Sequence, residues 1–229
     1  MKKYLFICCA ALLFLGSYFA IVKKPVKAYN NYKSNSFTAE QKISPDGVTI
    51  PDSNGCCKTI KAGKYSSESI YQLNSQWRDQ DNRKITLGKF ENKRVILAMI
   101  YATCQSACPV IVNDMKTIES AIPADKINDY RFILVTIDPS RDKPSVLKKY
   151  AAAKNLDSGR WTLLNGSEND VMQLAMMLGF KYSKNADGSF THSSLISFLN
   201  KKGEIKYQNE GLVLDTGVIS QAIASINKN

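Results

Sequence analysis

Histidine is almost absent from this 229-residue chain, which contains a single one, His192. A closed structural zinc site takes four nitrogen or sulfur ligands, and histidines commonly supply some of them. With no second histidine to complete the set, a structural zinc site is disfavoured. The chain also has no internal repeat, so a repeat architecture is excluded.

Acidic residues are fewer than basic ones, 20 against 31, which gives a formal charge of +11. Residues 1–65 carry ten lysines and three acidic residues, a net +7, whereas residues 66–229 carry only +4. The later part lacks a basic patch interleaved with aromatic residues, so nucleic acid is not an expected partner. The length and the 44% hydrophobic content suit one main domain of about 150 to 170 residues with extensions.

The first 22 residues predict a signal anchor. Residues 4–22 carry no charge, and lysines flank them on both sides. A helix of these 19 residues just spans a hydrocarbon core of about 30 Å, whereas a cleaved signal peptide has a shorter apolar region. Cleavage near residues 26–28, Val-Lys-Ala, stays an alternative, and the lysines on the two flanks do not fix the orientation.

Residues 23–65 predict a partly disordered tether, because they are rich in Lys, Asn, Ser, Tyr and Gly and have no sustained apolar period. Near its end stand two adjacent cysteines, Cys56 and Cys57. A disulfide between neighbours closes a strained eight-membered ring. Free thiols, metal ligands or partners of another cysteine are more common states, so we treat this pair as auxiliary candidates.

A turn between a strand and a helix carries the two most informative cysteines, Cys104 and Cys108. The preceding segment, Val95–Ile100, is unbroken and apolar, which is typical of a strand buried on both faces. Pro109, near the first helical position, and apolar residues at helical spacing predict a helix to about Ile122.

Chemistry follows from that placement. If Cys108 begins the helix, its sulfur lies near the positive end of the helix dipole, which favours the thiolate over the thiol. Thiolates attack disulfides or bind soft metals. The alternative is that both cysteines are small buried hydrophobic residues, but a CxxxC followed by proline in such a turn favours a chemical role.

The remaining pattern predicts an α/β domain over residues 66–229. It begins with an N-terminal β-hairpin formed by segments 70–77 and 85–87. The strand before the cysteine turn, the helix after it and a second apolar strand over 131–137 predict a right-handed parallel crossover. Further elements are predicted at 145–154 (helix), 161–164 (strand), 169–179 (helix), 195–199 and 204–207 (hairpin) and 218–226 (helix). This order describes a thioredoxin-like α/β fold.

His192 lies just before the strand predicted at 195–199. In a thioredoxin-like sheet the segment entering this hairpin passes beside the cysteine turn, so two sulfurs and one imidazole can converge. Such a donor set suits a soft or borderline metal such as copper. Without that context, a lone histidine is more often a structural residue.

Three separated motifs resemble the Sco/SenC family of membrane-tethered copper chaperones for cytochrome c oxidase. Residues 103–109, Thr-Cys-Gln-Ser-Ala-Cys-Pro, are similar to the family's CxxxCP. Residues 135–144, Val-Thr-Ile-Asp-Pro-Ser-Arg-Asp-Lys-Pro, are similar to its IDPxRDxP segment, and His192-Ser-Ser precedes the hairpin. Order and spacing agree over about residues 66–210. Gln105-Ser106 and Thr191 depart from the Pro-Asp and the Asp that many relatives carry.

The resemblance implies a thioredoxin-like fold, an inner-membrane anchor with the domain in the periplasm, and copper bound by Cys104, Cys108 and His192. The two cysteines can also close to a redox disulfide. Asp138 resembles an acidic residue of the family's loop near the metal, and a role as a cap or as an ion pair with Arg141 stands equally beside that. The implied partners are the copper-receiving subunit of cytochrome c oxidase and a thioredoxin-like reductant.

The alternative function is a thiol-disulfide reductase acting on oxidase cysteines or other exported proteins. Thioredoxin-type enzymes place CxxC opposite a cis-proline, but no proline follows Pro144. The region of Thr191 and His192 occupies that position instead, which favours metal binding. A thiol peroxidase needs one low-pKa cysteine, and a Cys-His hydrolase needs a group that orients its histidine. Neither explains both cysteines.

Overall fold

The computed structural model of the chain describes residues 64–212 and 215–227. The predicted signal anchor and nearly all of the predicted tether, with Cys56 and Cys57, lie outside these residues. Among the described helices, none combines the length and the apolar character needed to cross a membrane.

The described elements follow one another in a mixed α/β order. The strands are β1 (Trp77–Arg78), β2 (Lys84–Ile85), β3 (Arg94–Ile100), β4 (Tyr130–Thr136), β5 (Trp161–Leu164), β6 (Tyr182–Lys184), β7 (Phe190–His192), β8 (Leu195–Leu199) and β9 (Ile205–Glu210). The helices are α1 (Ala107–Ala121), α2 (Pro144–Ala153), α3 (Glu168–Leu178) and α4 (Thr216–Asn227). Short 3-10 turns lie at Ile70–Gln72, Leu87–Phe90 and Ile127–Asp129.

A five-stranded sheet with the order β5-β4-β3-β8-β9 forms the centre of the molecule. Strands β3, β4 and β5 are parallel, whereas β8 runs antiparallel to β3 and β9 antiparallel to β8. The pairing of β3 with β4 runs from Arg94 opposite Tyr130 to Ile100 opposite Thr136. This confirms the predicted parallel crossover and places the cysteine turn at the carboxyl end of a central strand.

Burial on both faces of the sheet explains why the apolar segments of β3 and β4 form strands. Residues 95–100 in β3 and 132–136 in β4 are all buried, as expected for strands covered on both faces. From α1, the buried side chains facing the sheet are Cys108, Ile111, Val112, Met115 and Ile118, which recur at helical spacing. The cysteine turn is therefore tied to the core at both ends.

Helix α3 has well-defined ends that set the path of the chain towards the hairpin β6–β7. At its start, the Ser167 hydroxyl accepts from the Asp170 N–H at 3.1 Å and the Asp170 carboxylate accepts from Ser167, a capping box. At its end, Gly179 has φ +67°, a left-handed conformation that glycine adopts without steric cost. The chain then turns immediately into Phe180.

The N-terminal β-hairpin is confirmed in position but is much shorter than predicted. Trp77 pairs with Ile85 and Arg78 with Lys84, whereas Ile70–Gln72 form a 3-10 turn instead of a strand. The strand prediction over 70–77 was wrong because Ile70 and Tyr71 are both buried, so the residues do not alternate between core and solvent. Ser69 also accepts from the Tyr71 N–H at 3.1 Å and favours the turn.

A second small hairpin, β6–β7, was not predicted. Tyr182 pairs with His192 and Lys184 with Phe190, and the turn between them contains Gly188 at φ +81°. Strands of three residues carry too little periodicity to be detected in a sequence. This hairpin holds the only histidine at the end of its second strand.

Candidate metal centre

Three side chains meet at the carboxyl end of β3. One ligand atom from each of Cys104, Cys108 and His192 lies within 4.8 Å of the other two. In the described part of the chain, this is the only group of three such histidine, cysteine or carboxylate donors. The sequence prediction that two sulfurs and one imidazole converge is confirmed as a matter of geometry.

The cysteine turn folds back so that the first sulfur faces the start of α1. Cys108 is the second residue of the helix, and its N–H lies 3.5 Å from the sulfur of Cys104 in a donating geometry. The Ser106 hydroxyl lies 3.8 Å from the same sulfur. The Ser106 side chain does not cap the helix. Instead, the sulfur of Cys104 accepts from the Cys108 N–H at the start of the helix, where the helix dipole favours a thiolate.

The pKa values of the two cysteine thiols are shifted in opposite directions. Burial acts to raise the pKa of Cys104, but hydrogen bonds from the Cys108 N–H, from His192 and from the Ser106 backbone outweigh it and lower the pKa to about 6. Cys108 is completely buried, and burial, together with the neighbouring Cys104, raises its pKa above the ordinary range. The expectation that the helix start favours the thiolate of Cys108 is therefore wrong, because burial outweighs the helix dipole there. Near neutral pH the centre therefore contains one thiolate and one thiol.

The imidazole of His192 is fixed in one tautomer by its neighbour. Nδ1 lies 2.8 Å from the Ser193 carbonyl oxygen, which can only accept, so Nδ1 carries a hydrogen. Nε2 faces the sulfur of Cys108 at 3.6 Å. The neutral ring then offers its Nε2 lone pair to a metal, which is the arrangement usual for a metal-binding histidine, whereas only a ring with hydrogens on both nitrogens donates from Nε2 to the Cys104 thiolate.

Aromatic rings enclose the imidazole. The Phe180 ring stacks on it with centroids 5.9 Å apart and planes at 22°, and the Tyr101 ring meets it edge-on at 5.7 Å. Tyr101 in turn contacts Phe190 at 5.4 Å. These rings hold His192 against the cysteine turn and limit access of water to the sulfurs, of which Cys104 is 6% exposed.

Asp142 holds the backbone of the cysteine turn through a hydrogen bond. This role was not predicted from the sequence, although the residue belongs to the IDPxRDxP segment. Its Oδ2 accepts from the Ala102 N–H at 2.8 Å and from the Thr136 hydroxyl at 2.6 Å. The carboxyl group is 1% exposed, and burial raises its pKa. Its other oxygen, Oδ1, has no hydrogen-bond partner among the described residues.

Asp138, predicted as an auxiliary residue, is buried in an ion pair. Its carboxylate accepts from the Arg141 side chain and from the Ser140 hydroxyl, the latter at 2.9 Å. Arg141 also donates to the Gly188 carbonyl and so links this loop to the hairpin that carries His192. The ion-pair alternative is therefore observed, and a role for Asp138 at the metal stays a prediction, as does one for Cys56 and Cys57.

The three donors fit a soft or borderline metal ion. Bonds from a metal to thiolate and imidazole run about 2.0 to 2.3 Å in zinc sites, which places three donors around one ion about 3.5 to 4 Å apart. The 4.8 Å limit observed for the donor atoms requires only small rotations of side chains. Two sulfurs with one imidazole suit copper by their softness.

Comparison with known proteins gives a consistent result. A family model described as SCO1/SenC matches residues 65–226. The SCO1 protein homolog of Bacillus subtilis (strain 168) is 25% identical over 139 residues, which cover 59% of this chain and 72% of that protein. Across the curated relatives that match, the chain spans between 62% and 72% of their length.

Solved structures show the same fold. The structure of ScoI from Bradyrhizobium japonicum with copper bound matches with a TM-score of 0.55 at 18% identity, covering 67% of this chain and 96% of that one. BsSco is a member of the Sco family of cytochrome c oxidase assembly proteins in which a disulfide switch was identified. Its structure matches with a TM-score of 0.57 at 23% identity, covering 67% of this chain and 92% of that one. The predicted α/β fold thus matches that of the Sco structures.

Proposed function

Because this chain belongs to the SCO1/SenC family, we propose that it is a copper chaperone that binds copper through Cys104, Cys108 and His192. We propose further that it is anchored in the inner membrane with its domain in the periplasm. There it supports assembly of the dinuclear copper centre of cytochrome c oxidase. The convergence of the three donor atoms within 4.8 Å is the observation that carries the proposal.

The chemistry of the site supports capture and release of copper as cargo. Cys104 is already a thiolate near neutral pH and supplies the first bond, since its pKa is about 6. The thiol of Cys108 gives up its proton as the second bond forms, because a metal ion displaces the proton of a coordinating thiol. His192 provides the third donor from a separate hairpin, so a partner that displaces one ligand weakens the site without unfolding the turn.

Anchoring rests on the sequence. The uncharged segment 4–22 is long enough to span a bilayer, and the tether over 23–65 separates it from the domain. The domain boundaries at residues 22 and 65 remain part of this proposal. The receiving partner is the oxidase subunit that holds the dinuclear copper centre, and a thioredoxin-like protein returns any disulfide to the dithiol.

A thiol-disulfide reductase is the second candidate, and the unequal acidity of the two cysteines favours it. In this reaction the Cys104 thiolate attacks a client disulfide and forms a mixed disulfide, and one client sulfur leaves as a thiolate. Cys108 then loses its proton and attacks the sulfur of Cys104. The products are the reduced client and the Cys104–Cys108 disulfide, with two electrons transferred to the client.

Copper content tests the proposal directly. The reduced full-length chain with Cys56 and Cys57 replaced by serine is loaded with Cu(I), dialysed and analysed for metal. We expect one copper per chain, and near zero when Cys104→Ser or Cys108→Ser is added. Thr191→Ala, on the same strand as His192 but exposed, is the matched control and should keep one copper. Equal copper content in the parent chain and the Cys108→Ser variant would contradict the proposed site.

A further inference from the structure

Methionines are concentrated in one helix of this chain. Of the six, Met172, Met176 and Met177 belong to α3. Met99 and Met115 are buried in the core, at 1% and 0% exposure, as expected for apolar side chains. Met172 is 48% exposed and Met176 is 74% exposed. Packing in the core therefore does not explain why methionine occupies these two positions.

The helix fixes the relation between the two exposed thioethers. Its buried side chains are Val171, Leu174, Ala175 and Leu178. Residues 172 and 176 are four positions apart on the opposite face, where Cβ atoms at this spacing lie about 5 to 6 Å apart. A methionine has three rotatable bonds, so both sulfurs can reach a single ion from this starting point.

The donor chemistry restricts which ion the pair can hold. Thioethers are soft, uncharged ligands that select Cu(I) among the common biological metals, whereas carboxylate and carbonyl oxygens suit Mg²⁺ and Ca²⁺. Two neutral thioethers bind a cation more weakly than two thiolates with an imidazole. Copper held by the methionines would therefore move spontaneously to the centre formed by Cys104, Cys108 and His192.

One member of the pair, Met172, is linked to that centre through a groove and two aromatic rings. Met172 lines a groove of about 540 Å³ that is also lined by Tyr182 and Phe190 of the hairpin β6–β7. The Phe190 ring contacts Tyr101 at 5.4 Å, and Tyr101 contacts the imidazole of His192. The two cysteines of the centre expose little surface, since Cys104 is 6% exposed and Cys108 is fully buried. An exposed soft donor nearby gives incoming copper a first point of contact.

We propose that Met172 and Met176 form a second Cu(I) site, weaker than the cysteine centre, that holds copper on its way into that centre. The role as an entry site rests on the proposed copper-chaperone function. Transfer is an exchange of ligands in which copper stays Cu(I), sulfur and nitrogen of the centre replace the thioethers, and the proton of Cys108 passes to water.

The first experiment isolates the methionine site. The full-length chain with all six cysteines replaced by serine and with ¹³C-labelled methionine methyl groups is titrated with Ag(I), a stand-in for Cu(I) that does not change oxidation state. We expect the methyl signals of Met172 and Met176 to shift together and to saturate at one equivalent. Replacing both by leucine should remove the bound silver measured after dialysis, and Met177→Leu is the matched control that should retain it.

The proposal fails if the signals of Met172 and Met176 move no further than those of buried Met99 and Met115, or if the double leucine variant retains the silver. Dispersed signals from Met99 and Met115 report that the six-serine chain is folded. If it is not, the same titration is run on a chain with Cys104 and Cys108 intact and preloaded with one equivalent of Cu(I), the other cysteines being serine.

A second experiment tests the role in entry. With Cys104 and Cys108 intact, the rate at which a Cu(I)–glutathione donor loads the cysteine centre should fall several-fold in the double leucine variant, while the final copper content stays at one per chain. Equal loading rates would overturn the entry role. Failure of the chaperone function itself has a different outcome, namely no copper at the cysteines of the parent chain, and it leaves the silver titration of the six-serine chain unaffected.

Discussion

The sulfur of Cys108 lies 3.6 Å from Nε2 of His192, although the two residues are 84 positions apart in the chain. Cys108 is held by the start of α1, and His192 by the end of a small hairpin that does not belong to the central sheet. The site is therefore assembled from two independently supported elements. Metal binding would join them, and copper affinity should depend on residues that position either one.

The low pKa of Cys104 gives a pH-dependent prediction. A thiolate reacts with iodoacetamide and a thiol does not, so in a chain whose other cysteines except Cys108 are serine the alkylation rate should rise with pH through a midpoint near 6. An ordinary cysteine has its midpoint near 8.5. The rate should fall as the pH drops below this midpoint, because protonation removes the nucleophile.

Two variants control this measurement. Cys104→Ser should abolish fast alkylation, since Cys108 is fully buried and its pKa is raised. His192→Ala should move the midpoint to higher pH, because it removes a hydrogen bond that stabilises the Cys104 thiolate. A midpoint near pH 8.5 in the parent chain would contradict the proposed activation of Cys104.

Asp142 gives a prediction on stability and positioning. Asp142→Ala leaves the Ala102 N–H and the Thr136 hydroxyl without their buried acceptor, so the free energy of unfolding should fall by about 1 to 3 kcal/mol. Asp142→Asn keeps one acceptor oxygen and should lose less. Denaturant unfolding measures the effect, with the exposed Asp125→Ala as a control that stays within about 0.5 kcal/mol. Equal losses for the alanine and asparagine variants would exclude this acceptor role.

Much of the sheet could be predicted because long, predominantly apolar segments are typical of buried strands. In residues 95–100 and 131–137, polar residues do not alternate with apolar ones. These segments form β3 and β4 within one residue of the expected bounds. The helix ended by Gly179 was also expected, since glycine at that position stops a helix in a recognisable way. These signals are local, so one sequence suffices to find them.

The sequence identified the three donor residues that converge, but not the elements that position them. The spacing of Cys104 and Cys108 and the Pro109 that follows them identify the two cysteines as candidate ligands. His192 is a candidate because it is the only histidine in the sequence. The hairpin that carries His192 was missed because its strands of three residues have no measurable period. The acceptor role of Asp142 was missed because it depends on the Ala102 N–H, a contact across 40 positions that no local pattern encodes.

Oxidation should release copper. The sulfurs of Cys104 and Cys108 are close enough to form a bond after a small movement, and a disulfide has no thiolate to offer a metal. We expect the chain, oxidised with a mild thiol oxidant and shown by mass to carry the Cys104–Cys108 disulfide, to retain less than about a tenth of the copper held by the reduced chain. The measurement is copper content after gel filtration.

A matched control separates this effect from damage by the oxidant. In the parent chain for this test Cys56 and Cys57 are serine, so the disulfide has one location among the domain and tether cysteines. Subsequent treatment with a dithiol reductant should restore copper binding fully. Full copper retention by the oxidised chain would show that the two cysteines are not both ligands.

His192 separates the chaperone from the reductase. Both functions require Cys104 and Cys108, but thiol-disulfide exchange proceeds through mixed disulfides and needs no third ligand. His192→Ala should therefore lower copper affinity and oxidase assembly together, while the dithiol still reduces a model disulfide. The assay is oxidase activity at limiting copper in cells that lack the native gene and are complemented with each variant. Thr191→Ala, which leaves the imidazole in place, should support normal activity. If His192→Ala assembles oxidase as well as the parent chain does, the chaperone function is wrong and the reductase function stands.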